Sequence, residues 1–172
     1  TRDFTITGIS MTGCRIDIND HTTKLADNPG MWRENLLITQ NYINNAPTEA
    51  MYVGSNYADF STQDLPLRNI EISYNYMLNP GWDCVNLKSA YGGGNELHHN
   101  YMVNCGTDSD ANQLSGLAVV EGQADMYNNY IINPGENGIT QRHINIESAN
   151  YSTQTYEIYN NVIIDAGRAG LS

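Results

Sequence analysis

The chain has 172 residues, enough for one well-buried domain and too few to require a second. Eight Lys and Arg against nineteen Asp and Glu leave a formal charge of −11, which opposes phosphate backbones and anionic lipid, so neither nucleic acid nor a membrane surface is an expected partner. No apolar run approaches the roughly 18 to 20 residues of a membrane span and no charged-then-apolar leader precedes Thr1, so the chain reads as a processed form or a segment of a longer protein.

In chain order, the first element is the stretch FTITGISMTGC, Phe4 to Cys14, followed by the alternating pair Ile16 and Ile18. It is a degenerate copy of a unit that then recurs as LLITQNYINNAP from Leu36, IEISYNYMLNPG from Ile70, NELHHNYMVNCG from Asn95, DMYNNYIINPG from Asp125 and YEIYNNVIIDAG from Tyr156. The shared register residue is Asn41, Asn75, Asn100, Asn129 and Asn161, at intervals of 34, 25, 29 and 32 residues, with Gly8 standing in for it in the first copy. Between copies lie further short runs of period-two alternation, such as Val85 with Leu87 and Leu117 with Val119. No stretch keeps helical periodicity.

Short strands without helices, repeated about every 25 to 34 residues, have one economical packing, a parallel β-solenoid. Each coil covers the apolar face of the next. The expected fold is therefore all-β, one domain of about six rungs. An Asn at the same turn of every rung tolerates the left-handed conformation and can bond its amide to the amides above and below. The second series, Asn45, Asn79, Asn104, Asn133 and Asp165, marks the next turn. Tyr42, Tyr76, Tyr101 and Tyr130 follow the register Asn and should stack, with Val162 closing the column; they either seal a corner or offer an aromatic strip to sugars or a neighbouring rod. Cys14, Cys84 and Cys105 match no metal spacing and are too few for a disulfide framework, so they read as buried small hydrophobes.

The repeated NYxxN(P/A)G units resemble the right-handed parallel β-helix superfamily, which includes pectate lyases and alginate-type lyases. The resemblance covers nearly the whole chain and implies the fold more than any one activity. More locally, VNLKS followed by NELHHNYMVN is similar to the neighbourhood of the catalytic lysine in the chondroitinase-B and alginate lyase group. That group abstracts the proton α to a uronate carboxylate, which needs a base of lowered pKa and compensating positive charge. The resemblance implies Lys88 as the base. The arginine expected one rung later is replaced by Val120, so Arg142, two rungs on, is the next outward cation.

Around Lys88, the residues Trp82, Asn86, Tyr91 and His99 are candidate substrate contacts, and Asp83 is the one acid just ahead of the lysine. TDSDAN contributes Asp108 and Asp110 in an EF-hand-like start that lacks the required Gly and Glu, so an irregular Ca²⁺ site with Asp83 is the metal reading. Strand alternation sends one of His98 and His99 inward and the other outward. The scarcity of Lys and wealth of Asn, Gly, Thr, Ser and Tyr suit an extracellular β protein. Two functions follow as expectations: a secreted carbohydrate-binding or carbohydrate-active β-helix, a polysaccharide lyase or epimerase if it is an enzyme, or a structural or adhesive rod that self-associates end to end or side by side.

Overall fold

The computed structural model describes residues 2–19, 30–54, 65–108, 113–142 and 155–172. Every coil contributes three strands. The first holds β1 (Arg2–Thr7), β2 (Ser10–Thr12) and β3 (Ile16–Ile18); the second β4 (Arg33–Thr39), β5 (Tyr42–Asn44) and β6 (Met51–Val53). The third holds β7 (Leu67–Ser73), β8 (Tyr76–Leu78) and β9 (Val85–Ala90); the fourth β10 (Glu96–His98), β11 (Tyr101–Val103) and β12 (Leu117–Gly122). The fifth holds β13 (Asp125–Tyr127), β14 (Tyr130–Ile132) and β15 (Asn137–Arg142), and the last β16 (Ile158–Tyr159), β17 (Val162–Ile164) and β18 (Ala169–Leu171).

Stacking these coils produces three parallel six-stranded sheets, β1-β4-β7-β10-β13-β16, β2-β5-β8-β11-β14-β17 and β3-β6-β9-β12-β15-β18. The chain is a parallel β-solenoid, as the repeat predicts. Its core is a set of columns: Ile38, Ile72, Leu97 and Met126 from the first sheet, Ile43, Met77, Met102 and Ile131 from the second, and Met51, Val85, Leu117 and Ile139 from the third. Residues of one column share a register position, so like stacks on like and the apolar interior is continuous along the axis.

The turn between the first two sheets carries the ladder. Asn41 donates its Nδ2 to Oδ1 of Asn75, Asn75 to Asn100, Asn100 to Asn129 and Asn129 to Asn161, each at 3.0 Å. The second hydrogen of each Nδ2 goes to a first-sheet carbonyl, as from Asn100 to Ile72 at 2.8 Å. Two details differ from the sequence reading. The left-handed residue is the one before the ladder Asn, namely Gln40, Tyr74, His99, Asn128 and Asn160, with φ between 53° and 56°. Accordingly Gly8 (φ 68°) matches that position and Ile9 sits at the ladder position, its N–H donating to Asn41 Oδ1 at 3.0 Å. The ladder needs a side-chain amide in a fixed orientation, whereas the sharp reversal just before it supplies the turn. The second series does occupy the left-handed region, with Asn45, Asn79, Asn104, Asn133 and Asp165 at φ of 48° to 53°.

The cysteines are the other correction. Cys84 and Cys105, expected as buried thiols, form a disulfide with Cα atoms 5.2 Å apart, while Cys14 is free and exposed. Cys84 directly precedes β9 and Cys105 closely follows β11, so the bridge ties successive coils. Coil lengths vary with their insertions, and sequence spacing alone could not bring these two positions together.

Candidate functional site

The candidate site lies on the outer face of the third sheet, where β9 presents its alternate residues. Val85 and Leu87 point into the core, leaving Asn86 and Lys88 on the outside. Both are nonetheless buried, with Asn86 2% and Lys88 5% exposed. The insertions spanning 20–29, 55–64 and 143–154 leave the third sheet after β3, β6 and β15, and 109–112 precede β12.

Lys88 carries its Nζ 4.7 Å from the ring centroid of Tyr52, which is the register partner of Asn86 on β6. Arg15 lies over the same ring at 5.4 Å and pairs with buried Glu49 at 2.7 Å. The close approach of β6 to β9 depends on Gly54 (φ 92°), where an added Cβ would lie 2.1 Å from the Lys88 carbonyl oxygen. The Lys88 ammonium makes no hydrogen bond or ion pair with a described residue, only the contact with Tyr52. Burial lowers its pKa below the ordinary lysine value, against the opposing pull of Glu49, Asp83 and Glu121.

Asp83 is just ahead of β9 and 2% exposed. Its Oδ1 accepts the Ser115 N–H at 2.7 Å and its Oδ2 accepts Asn86 Nδ2 at 2.9 Å. Burial is the main reason its pKa is pushed up to about 7, and Glu49 adds to the rise; the Ser115 N–H, Lys88 and Arg142 oppose it. Asn86 Oδ1, on the other side of the same amide, is buried without a partner. A donor without a hydrogen-bond partner among the described residues and an unpartnered acceptor thus stand two residues apart on one strand. Such groups are expensive to leave unpaired and are natural places for a ligand's hydroxyls or carboxylate.

Because the folded state holds a proton on Asp83 that the unfolded chain has released, stability falls as pH rises from about 4 to about 7 and levels off above that. Asp83→Asn keeps the acceptor for Ser115 and removes the charge. Thermal melts should show the variant gaining on the wild type between about pH 4 and about pH 7, and an offset independent of pH over that range would show that folding does not raise the Asp83 pKa.

The other predicted residues scatter. Arg142 ends β15 and is exposed; Val120 lies in register between it and Lys88, so it is two rungs away, about 10 Å at the rung spacing. Tyr91 donates its hydroxyl to Glu121 at 3.2 Å. Trp82 is half-buried and adjoins a groove of about 540 Å³ at the turn between the second and third sheets. That groove is lined by Asn45, Ala46, Pro47, Asn79, Gly81, Thr107 and Asp108. Asp110 lies outside the described residues. No group of three or more His, Cys, Asp or Glu among the described residues is arranged to hold a metal.

His99 lies elsewhere, at the corner between the first and second sheets. The expected inward and outward split of the two histidines does not occur. The φ of 53° at His99 breaks the strand alternation and returns its ring toward His98, Nδ1 to Nδ1 at 2.9 Å. His99 stacks on Tyr74, and His98 on Tyr127, which in turn stacks on Tyr159. His98 Nε2 lies 3.4 Å from Glu71 and 3.7 Å from Glu96. Burial lowers the His98 pKa below the ordinary histidine value despite these carboxylates.

Sequence reasoning missed Tyr52, Glu49 and Ser115. Tyr52 was recoverable, because it occupies the same register as Asn86 one coil earlier. Glu49 and Ser115 gain meaning only from Arg15 and Asp83, which lie in other coils. Fold and site together define a parallel β-solenoid with a polar, partly enclosed face on its third sheet. The chain matches no family model, no curated protein and no solved structure.

Proposed function

We propose that the protein is an extracellular carbohydrate-binding β-solenoid that holds a polysaccharide across the outer face of its third sheet, with lyase-type cleavage as the chemistry open to Lys88. The carrying observation is on β9, where Lys88 Nζ has the Tyr52 ring and no hydrogen-bond or ion-pair partner among the described residues, and the buried Asn86 Oδ1 has no hydrogen-bond partner. A sugar supplies both missing partners, an oxygen for the ammonium and a hydroxyl hydrogen for the amide oxygen. Tyr52 and Thr140, in register with Asn86 and Ala118, extend the same polar face along the axis. The disulfide suits an oxidising compartment, in keeping with secretion.

For cleavage, the lowered pKa of Lys88 favours the neutral amine needed to take the proton α to a uronate carboxylate. Arg142, in register with Lys88 two rungs on, is the outward cation of the same sheet that could neutralise that carboxylate.

The test is binding of soluble polyuronates and neutral glucans, with and without Ca²⁺, measured by affinity electrophoresis, alongside ultraviolet absorbance for the unsaturated lyase product. Lys88→Met and Asn86→Leu should each weaken binding about tenfold or more, the loss of one charge-assisted or buried polar contact. Retention of every glycan by both folded variants, or no retention by the wild type, overturns the proposal.

A further inference from the structure

The second sheet carries no function so far, and its outer face differs from the rest of the molecule. Each of its strands has three residues, of which the middle one is in the core and the other two point outward. One outward column is Ser10, Tyr42, Tyr76, Tyr101, Tyr130 and Val162; the other is Thr12, Asn44, Leu78, Val103, Ile132 and Ile164. Neither column contains an Asp, Glu, Lys, Arg or His, in a chain of net charge −11. Five of the exposed large hydrophobic side chains, Tyr42, Tyr76, Tyr130, Val162 and Ile164, lie here.

The tyrosine rings stack on one another at centroid distances of 5.7, 4.6 and 5.4 Å, within 12° of parallel. Their faces are therefore occupied by each other, and what the column offers outward is ring edges and hydroxyls. A sugar ring that stacks on an aromatic needs the face. An apolar sheet surface, by contrast, packs well on another sheet surface.

We infer that this face is a contact surface for a second copy of the same chain, packed face to face. Two observations favour that occupant. A second copy has the same rung repeat, so a twofold axis running along the solenoid, with the two copies' strand directions opposed, sets each tyrosine column against the partner's aliphatic column without losing register along the whole length. The face is also an uncharged region through which two strongly acidic chains can approach. It measures about 24 Å by about 7 Å at the usual strand spacing and rise. That buries well under the roughly 1,200 Å² of a stable pair, so the dimer forms in a concentration-dependent equilibrium. The inference is independent of the glycan proposal, since the two faces belong to different sheets.

Sedimentation velocity over a wide range of protein concentration, at about 0.05 M and about 0.5 M salt, tests it. Dimer should grow with concentration and grow further at high salt, because screening weakens the repulsion between the acidic chains. Val103→Lys leaves the tyrosine stack in place and should abolish the dimer while thermal melting stays cooperative. Ile132→Lys, one rung on, serves the same purpose should the first variant fold poorly. A chain that stays monomeric at both salts, or a dimer unchanged in a folded lysine variant, overturns the inference. So does a chain that remains monomeric while binding a neutral glucan that Val103→Lys no longer binds.

Discussion

Asn100→Ala should destabilise the protein by roughly 3 to 6 kcal/mol, a large part of the 5 to 15 kcal/mol that holds a domain folded. Asn100 makes four side-chain hydrogen bonds. It accepts from the backbone N–H of Asn75 at 3.1 Å and from Asn75 Nδ2 at 3.0 Å, and donates to the Ile72 carbonyl at 2.8 Å and to Asn129 Oδ1 at 3.0 Å. Alanine leaves the Asn75 N–H, one Asn75 amide hydrogen and the Ile72 carbonyl unpaired inside the protein, each costing about 1 to 3 kcal/mol, the lower end applying if water enters the space. Asn100→Asp keeps both acceptor roles but sets a carboxylate oxygen against two oxygens that had received hydrogens. That variant should lose further stability as pH rises past the carboxyl pKa. The reference is Asn104→Ala in the more exposed second ladder, where the neighbouring amides can turn to water and the main cost is about 1 kcal/mol of left-handed strain at φ 53°. Urea unfolding of the three variants measures this directly, and equal losses at Asn100 and Asn104 would show that burial of the ladder is not what makes it strong.

Removal of the disulfide is the second large effect. Cys84 and Cys105 are 21 residues apart, and closing a loop of that size constrains the unfolded chain by roughly 3 kcal/mol. Both sulfurs are buried against the core cluster, so Cys84→Ala with Cys105→Ala also loses packing between β9 and the turn after β11. The double variant should unfold at clearly lower urea, and the wild type under reducing conditions should follow it. Because the bridge ties the third coil to the fourth, the effect should be cooperative over the whole solenoid. A transition split into two steps would show instead that the coils on either side unfold separately.

The repeat made most of the fold legible. Register Asn, apolar alternation and the Pro/Gly turns are local patterns copied along the chain, and parallel stacking follows because no coil can cover its own core. The ladder and the tyrosine stack followed from the same repetition, since equal positions in successive coils must meet. The position of the left-handed residue was misplaced by one because the amide and the reversal it sits beside are adjacent in every copy and their periodicities coincide.

The site was less legible. Lys88, Asn86 and Asp83 were readable as neighbours, being within six residues on one strand and its approach. Their surroundings were not, because the Tyr52 ring and the Glu49 charge come from the coil before and the Ser115 N–H from the coil after. The same holds for the disulfide and for the contact between His98 and His99. Sequence alone determined what repeats, because repetition along the chain becomes repetition along the axis. Only the tertiary structure decided which singular residues face one another, because variable insertions set how far apart in sequence two stacked positions lie. It also decided which outward residues are shut away from water, since on a solenoid that depends on the neighbouring coils rather than on the strand itself.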